Sequence, residues 1–175
     1  KILKTINKNE IPSEFTTFYS QNIEIDNEKE LKIKFNNKIL HQSKLLDYFL
    51  NKKSLPKAEK EVNDLLKKIK KNKKYFFSKK DQIFLESLKF DGIEISKKYD
   101  DLLKVDESQI PTDIQVMINN DEKGAALLRI VEIIGQDKLE RMDEDTVYFI
   151  IRTLNQLNID EIRNKILFKV LPLKI

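Results

Sequence analysis

Cysteine is absent from this 175-residue sequence, so disulfides, thiolate metal sites and a cysteine nucleophile are all excluded. Histidine occurs once, as His41, which removes any H-E-x-x-H metal motif. A lone histidine base also needs a nearby nucleophile and an orienting acid. Ser43 is too close in sequence to be informative, and Asp47 lies six residues away, off the same helical face. His41 is therefore read as a structural residue. Only three glycines are present, Gly92, Gly124 and Gly135. Neither G-x-x-x-x-G-K-[ST] nor G-x-G-x-x-G occurs, so the usual phosphate-cradling loops are excluded, and G-x-S-x-G is missing too. Tryptophan is absent. No apolar run approaches the roughly 20 residues that span a bilayer; the best, Ala125 to Ile134, is broken by Arg129 and Glu132.

What is abundant is charge, at 35% of residues, and lysine outnumbers arginine 29 to 4. Lys, Ile and Asn together make up 66 residues, a bias expected of an AT-rich genome. That bias discounts the pI near 9.0 as a sign of a polyanion partner. The charge is also uneven. Residues 52–80 carry a net of +9, and residues 81–175 a net of −6. The two segments are expected either to fold back on each other or to form opposite faces of one surface. The first residue is Lys1, from which we expect a fragment or processed product and no readable localisation signal.

Hydrophobic spacing predicts a mainly α fold of packed helical hairpins over residues 38–175, preceded by a less regular segment, 1–37. Leu31-Lys32-Ile33-Lys34-Phe35 alternates at the strand period, and Asn36-Asn37 follows, so a short β-hairpin over Leu31–Leu40 is one reading. The competing reading, a helix from Lys38 to Asn51, rests on Leu45, Leu46, Phe49 and Leu50. Pro56 opens a helix whose Ala58, Val62, Leu65, Leu66 and Ile69 share one stripe. Ser78 and Asp81 form a capping-box variant for the next helix, which Gly92 ends. Shorter helices are expected over Ser96–Lys104 and from Pro111. Asp121 is expected to cap a helix ending at Gly135 whose apolar residues surround it, making it central and buried. Asp143, Glu144 and Asp145 open a helix that ends at Asn158, and Asp160 caps a last helix stopped by Pro172.

Two stretches echo one another. Ser78 to Ile93 and Asp143 to Ile159 both read as cap, acid, apolar helix, left-handed residue and isoleucine, offset by 66 residues. That offset is near twice the 33–34-residue unit of common helix-hairpin repeats. Over residues 38–171 the chain resembles a tetratricopeptide-like α-solenoid in architecture. The Trp, Gly-Tyr and Pro positions of that consensus are not matched, so the resemblance carries over no functional residue. It implies stacked helix pairs sharing one core. An irregular helical bundle is the alternative.

No catalytic, cofactor or metal residue is assigned. Asp143-Glu144-Asp145 fits helix capping better than metal binding, because no D-x-[DN]-x-[DN]-G loop surrounds it. Asp100-Asp101 and Asp106-Glu107 are read as solvated. The expected function is non-enzymatic: a protein–protein interaction or scaffold segment of a larger, bacterial-type protein. Its partner would be another protein or further repeats of its own chain, with Tyr48, Phe49, Tyr75, Phe76 and Phe77 as candidate anchors. The alternative is polyanion binding, to nucleic acid or an anionic membrane surface, through Lys67, Lys68, Lys70, Lys71, Lys73, Lys74, Lys79 and Lys80. A plainer reading of the same run is a lysine-rich helix end that complements the helix dipole, with the aromatics anchoring the turn that follows.

Overall fold

The computed structural model describes residues 33–50, 53–102, 110–135 and 138–174. Most of the expected N-terminal segment, Asp106-Glu107 and the last two residues of the predicted 96–104 helix lie outside them. The chain divides into two compact units. Residues 34–173 make up one; of the other, only Ile33 and Lys174 are described.

The described chain is mainly helical. Its helices are α1 (Leu55–Lys71), α2 (Lys79–Phe90), α3 (Thr112–Asn119), α4 (Lys123–Ile134), α5 (Glu144–Gln156) and α6 (Asp160–Val170). Short 3-10 turns at Leu40–Gln42, Lys44–Leu50, Lys97–Leu102 and Leu139–Arg141 accompany them. Two two-residue strands, β1 (Ile33–Lys34) and β2 (Leu173–Lys174), pair with each other. Of the span read as a hairpin, Leu31–Leu40, the described residues 35–40 hold no strand: the chain turns at Asn37-Lys38 and enters a 3-10 turn at Leu40.

The predicted continuous helix over 38–51 is two 3-10 turns broken at Ser43, whose backbone is extended. Its hydroxyl donates to the Leu40 carbonyl at 2.8 Å and accepts the Leu45 N–H. Such local bonds compete with the helical ladder. Two other N–H groups are claimed from outside: Leu40 N–H donates to the Tyr75 hydroxyl, and His41 N–H to Asp81.

Helices α2 and α5 form the centre. The capping box at α2 is present, with Asp81 N–H donating to Ser78 Oγ and Ser78 N–H to Asp81 Oδ2. At α5, Asp143 accepts from the Thr146 N–H at 2.8 Å. Both helices end in the same motif. After α2, Gly92 has φ +84° and Ile93 N–H donates to the Leu88 carbonyl. After α5, Asn158 has φ +53° and Ile159 N–H donates to the Leu154 carbonyl. The echoed segments pack against each other. Lys79 pairs with Asp145, and Gln82 Nε2 contacts the Tyr148 hydroxyl, each pair 66 residues apart. Lys79 and Asp145 join the starts of the two helices, and Arg163 joins Asp91 and Asn155 at their ends, so the helices run in the same direction. Helix α6 folds back on α5, and α3 pairs with α4.

Three expectations are corrected. Helix α4 is not central: only Ala126 and Ile130 are buried, while Leu128 and Val131 are 68% and 61% exposed. An apolar circumference states what a helix is able to bury, but only the stripe that meets a neighbour is covered. Asp121 does not cap α4. It is the left-handed residue (φ +57°) that ends α3, with Glu122 N–H donating to the Met117 carbonyl, a conformation aspartate tolerates. Asp160 makes no side-chain cap for α6; its carboxylate lies 3.1 Å from Arg163 instead.

Asp81 ties the N-terminal half together. It is 1% exposed, and its oxygens take His41 N–H, His41 Nδ1 at 2.7 Å, the Tyr75 hydroxyl at 2.9 Å and Ser78 N–H. Burial pushes its pKa up, but the bonds from His41 and Ser78 outweigh burial and hold it below the usual carboxylate range. The folded state therefore favours ionised Asp81. Its contribution is complete above the unfolded value, about pH 3.9, and is lost as pH falls through the lower folded value. Asp81→Ala strands several donors and should cost about 3 kcal/mol, measured by urea unfolding. Asp81→Asn should flatten the acid limb of the stability profile. A wild-type acid limb in this variant would show that other carboxylates control it.

Candidate functional site

His41 has the orienting acid that sequence spacing did not reveal: Asp81, 40 residues away. With the Nδ1 proton on the Asp81 side, Nε2 accepts from the Gln42 amide at 3.2 Å. The hydroxyls nearby are engaged. Ser43 Oγ donates to Leu40, and the Tyr75 hydroxyl donates to Asp81. Burial, with the Asp81 charge adding to it, raises the Tyr75 phenol well above its ordinary value. The cluster is arranged to hold backbone segments together.

A second buried cluster surrounds Arg163, which is 1% exposed. Its guanidinium grips both Asp91 oxygens, at 2.7 and 3.1 Å, reaches Asp160 and Asn155 Oδ1, and lies 5.5 Å from the Phe49 ring centre. Burial, followed by the charge of Asp91, pushes the Tyr48 phenol up to about 12. This arginine joins the end of α2, the end of α5, the start of α6 and the 44–50 turn. On α6 Ile162 is 40% exposed, and Arg163 takes the inward position. The available signal was Arg163 flanked by Ile162, Ile166 and Leu167, an arginine set on an apolar stripe.

An open groove of about 740 Å³ lies between α1 and the segment after α2, lined by Glu59, Asn63, Lys89 and residues 92–97. Several of its polar groups bond to one another. The Asn63 amide donates to the Glu94 carbonyl and accepts from Ser96 N–H, and Glu59 accepts from Glu94 N–H. Among the described residues no three His, Asp or Glu side chains converge as a metal-ligand set, and no helix is long and apolar enough to cross a membrane.

The candidate anchors fall in different places. Phe49 belongs to the core, edge-on to Phe84. Tyr48, Tyr75 and Phe77 are half-buried and packed against that core. Phe76 is 86% exposed. The lysines also divide. Lys70 donates to the Lys98 carbonyl and lies near Asp101, and Lys79 pairs with Asp145 above the Tyr148 ring. Both contacts link the basic segment to the acidic one. Among the described residues, Lys67, Lys68, Lys71, Lys73, Lys74 and Lys80 make no ion pair, and all but Lys80 are exposed.

No family model, no curated protein and no solved structure matches this chain. The surfaces themselves therefore carry the functional reading. Two stand out: the exposed aliphatics of the α3–α4 hairpin, Val116, Leu128 and Val131, and the lysine-rich turn between α1 and α2.

The Arg163 cluster yields a stability test. Arg163→Met should cost about 3 kcal/mol, because it leaves the half-buried Asp91 carboxylate, with only 14% of its side chain exposed, without its cation. The double variant, Arg163→Met with Asp91→Ala, should in total cost much less than the sum of the two single effects, read by denaturant unfolding of all four proteins. Simple additivity would mean that the pair is not coupled.

Proposed function

We propose that this chain is a non-enzymatic interaction or scaffold segment, a stack of helix pairs of tetratricopeptide-like kind that presents the α3–α4 hairpin to a protein partner or to further repeats. The observation that carries the reading is the exposure of Leu128 and Val131, one helical turn apart on α4, with Val116 also exposed on α3. Scattered exposed aliphatics are ordinary, but neighbouring large ones on one hairpin fit a contact surface. The parallel packing of the echoed helices α2 and α5 supports the repeat architecture. In stacked repeats, side chains on an outer helix are free for contact because the core is shared with neighbouring pairs.

A second reading is favoured by a separate observation. The lysines of the α1–α2 turn that lack acid partners among the described residues create a local positive field suited to a polyanion.

A photo-crosslinking residue at position 128, in cells of the source organism, should give a discrete protein adduct that Val131→Lys suppresses. The same probe at exposed Glu140 should give none. Substituting exposed Val131 should leave folding within about 0.5 kcal/mol of wild type. Absence of an adduct at 128, or equal adducts at 128 and 140, would count against the interaction surface.

A further inference from the structure

Residues 75–78 lie between α1 and α2 and are neither helix nor turn. Along them exposure alternates, from half-buried Tyr75 to exposed Phe76 to half-buried Phe77. Tyr75 and Phe77 are both packed against the core, and the Tyr75 hydroxyl is held by Asp81 and Leu40 N–H. Phe76, between them, is forced outward to 86% exposure. A phenylalanine held out in this way gains nothing from folding. Around it, residues 67–80 contain eight lysines and no acid. Of these, Lys71, Lys73, Lys74 and Lys80 make no ion pair among the described residues.

We propose that this turn docks on an anionic phospholipid bilayer, with Phe76 inserted at the interface and Lys71, Lys73, Lys74 and Lys80 held against the headgroups. The inference rests on the polyanion reading above and deepens it by naming the partner. An amphiphilic surface asks for one apolar tip and diffuse positive charge near it, and exposed Phe76 with the lysines that flank it in sequence supplies that pairing. A nucleic acid asks for more. Stacking along a strand needs successive rings, but Tyr75 and Phe77 are turned inward and leave Phe76 alone. Arginine, suited to paired phosphate contacts, does not occur in the segment. A bilayer tolerates lysine because it is met as a charged surface and not atom by atom.

The sequence offers its own reporter. Since the chain contains no tryptophan, Phe76→Trp installs a unique fluorophore at the tip. With phosphatidylserine-containing vesicles, its emission should shift to the blue and be quenched by brominated acyl chains. Pure phosphatidylcholine vesicles should give little change, and high salt should weaken binding. In cosedimentation, Phe76→Ser should bind the anionic vesicles ~10-fold more weakly, and Lys73→Glu with Lys74→Glu at least as much more weakly. Circular dichroism should show unchanged helicity in every variant. Equal vesicle binding by Phe76→Ser, or an unshifted indole emission from vesicle-bound Phe76→Trp protein, would overturn the insertion. A salt-sensitive shift with a single-stranded oligonucleotide but none with vesicles would overturn the bilayer assignment while leaving polyanion binding standing. Failure to bind either would overturn both.

Discussion

The carboxylate of Asp81 is the constraint on which the N-terminal half of this fold depends. It sits at the start of α2, where the helix dipole favours negative charge, and is closed off from water. Burying a charge is costly unless every lone pair finds a donor. Here the donors come from three places: the 3-10 turn through His41, the connection between α1 and α2 through Tyr75, and the capping box through Ser78. Each donor therefore fixes the position of a stretch of chain with little regular structure of its own. The break at Ser43, the inward turn of Tyr75 and the entry into α2 are parts of one solution to a single desolvation problem.

Arg163 plays the corresponding part at the other end of α2. Its fork meets Asp91 with two bonds, and the Phe49 ring is also near the guanidinium. Between these two charged clusters lies an apolar interior formed by α2 and α5, with α1 and α6 contributing one stripe each. Hydrophobic burial gives the unit its cohesion but little register, since neighbouring apolar side chains can often be exchanged. Directional bonds at both ends of α2 supply that register.

What the sequence made legible were the features whose causes are local. Periodic stripes located α1, α2 and α5, and the cap chemistry of Ser78, Gly92, Asp143 and Asn158 placed the helix ends. The 66-residue echo marked the two helices that pack together. What it concealed depended on partners distant in the chain. His41 and Asp81 are 40 positions apart, and Arg163 and Asp91 are 72, so no local window contains either pair. Helix α4 shows the opposite difficulty. Its composition is rich enough for any degree of burial, and only the placement of its neighbours decides which residues are covered. Asp121 was ambiguous because aspartate serves equally well to begin one helix and to end another. Of the surface residues, Phe76 could not be told from Tyr75 and Phe77 by composition, because their difference lies in which rings pack against the core, with Tyr75 anchored by Asp81.

That anchoring has a consequence for how freely this turn is able to vary. In most surface connections a residue gained or lost is absorbed by slack. Here Tyr75 and Phe77 are both packed against the core, and the Tyr75 hydroxyl is tied to Asp81, so the chain has no slack on either side of Phe76. A residue added between the two rings would have to lift one of them out of its packing.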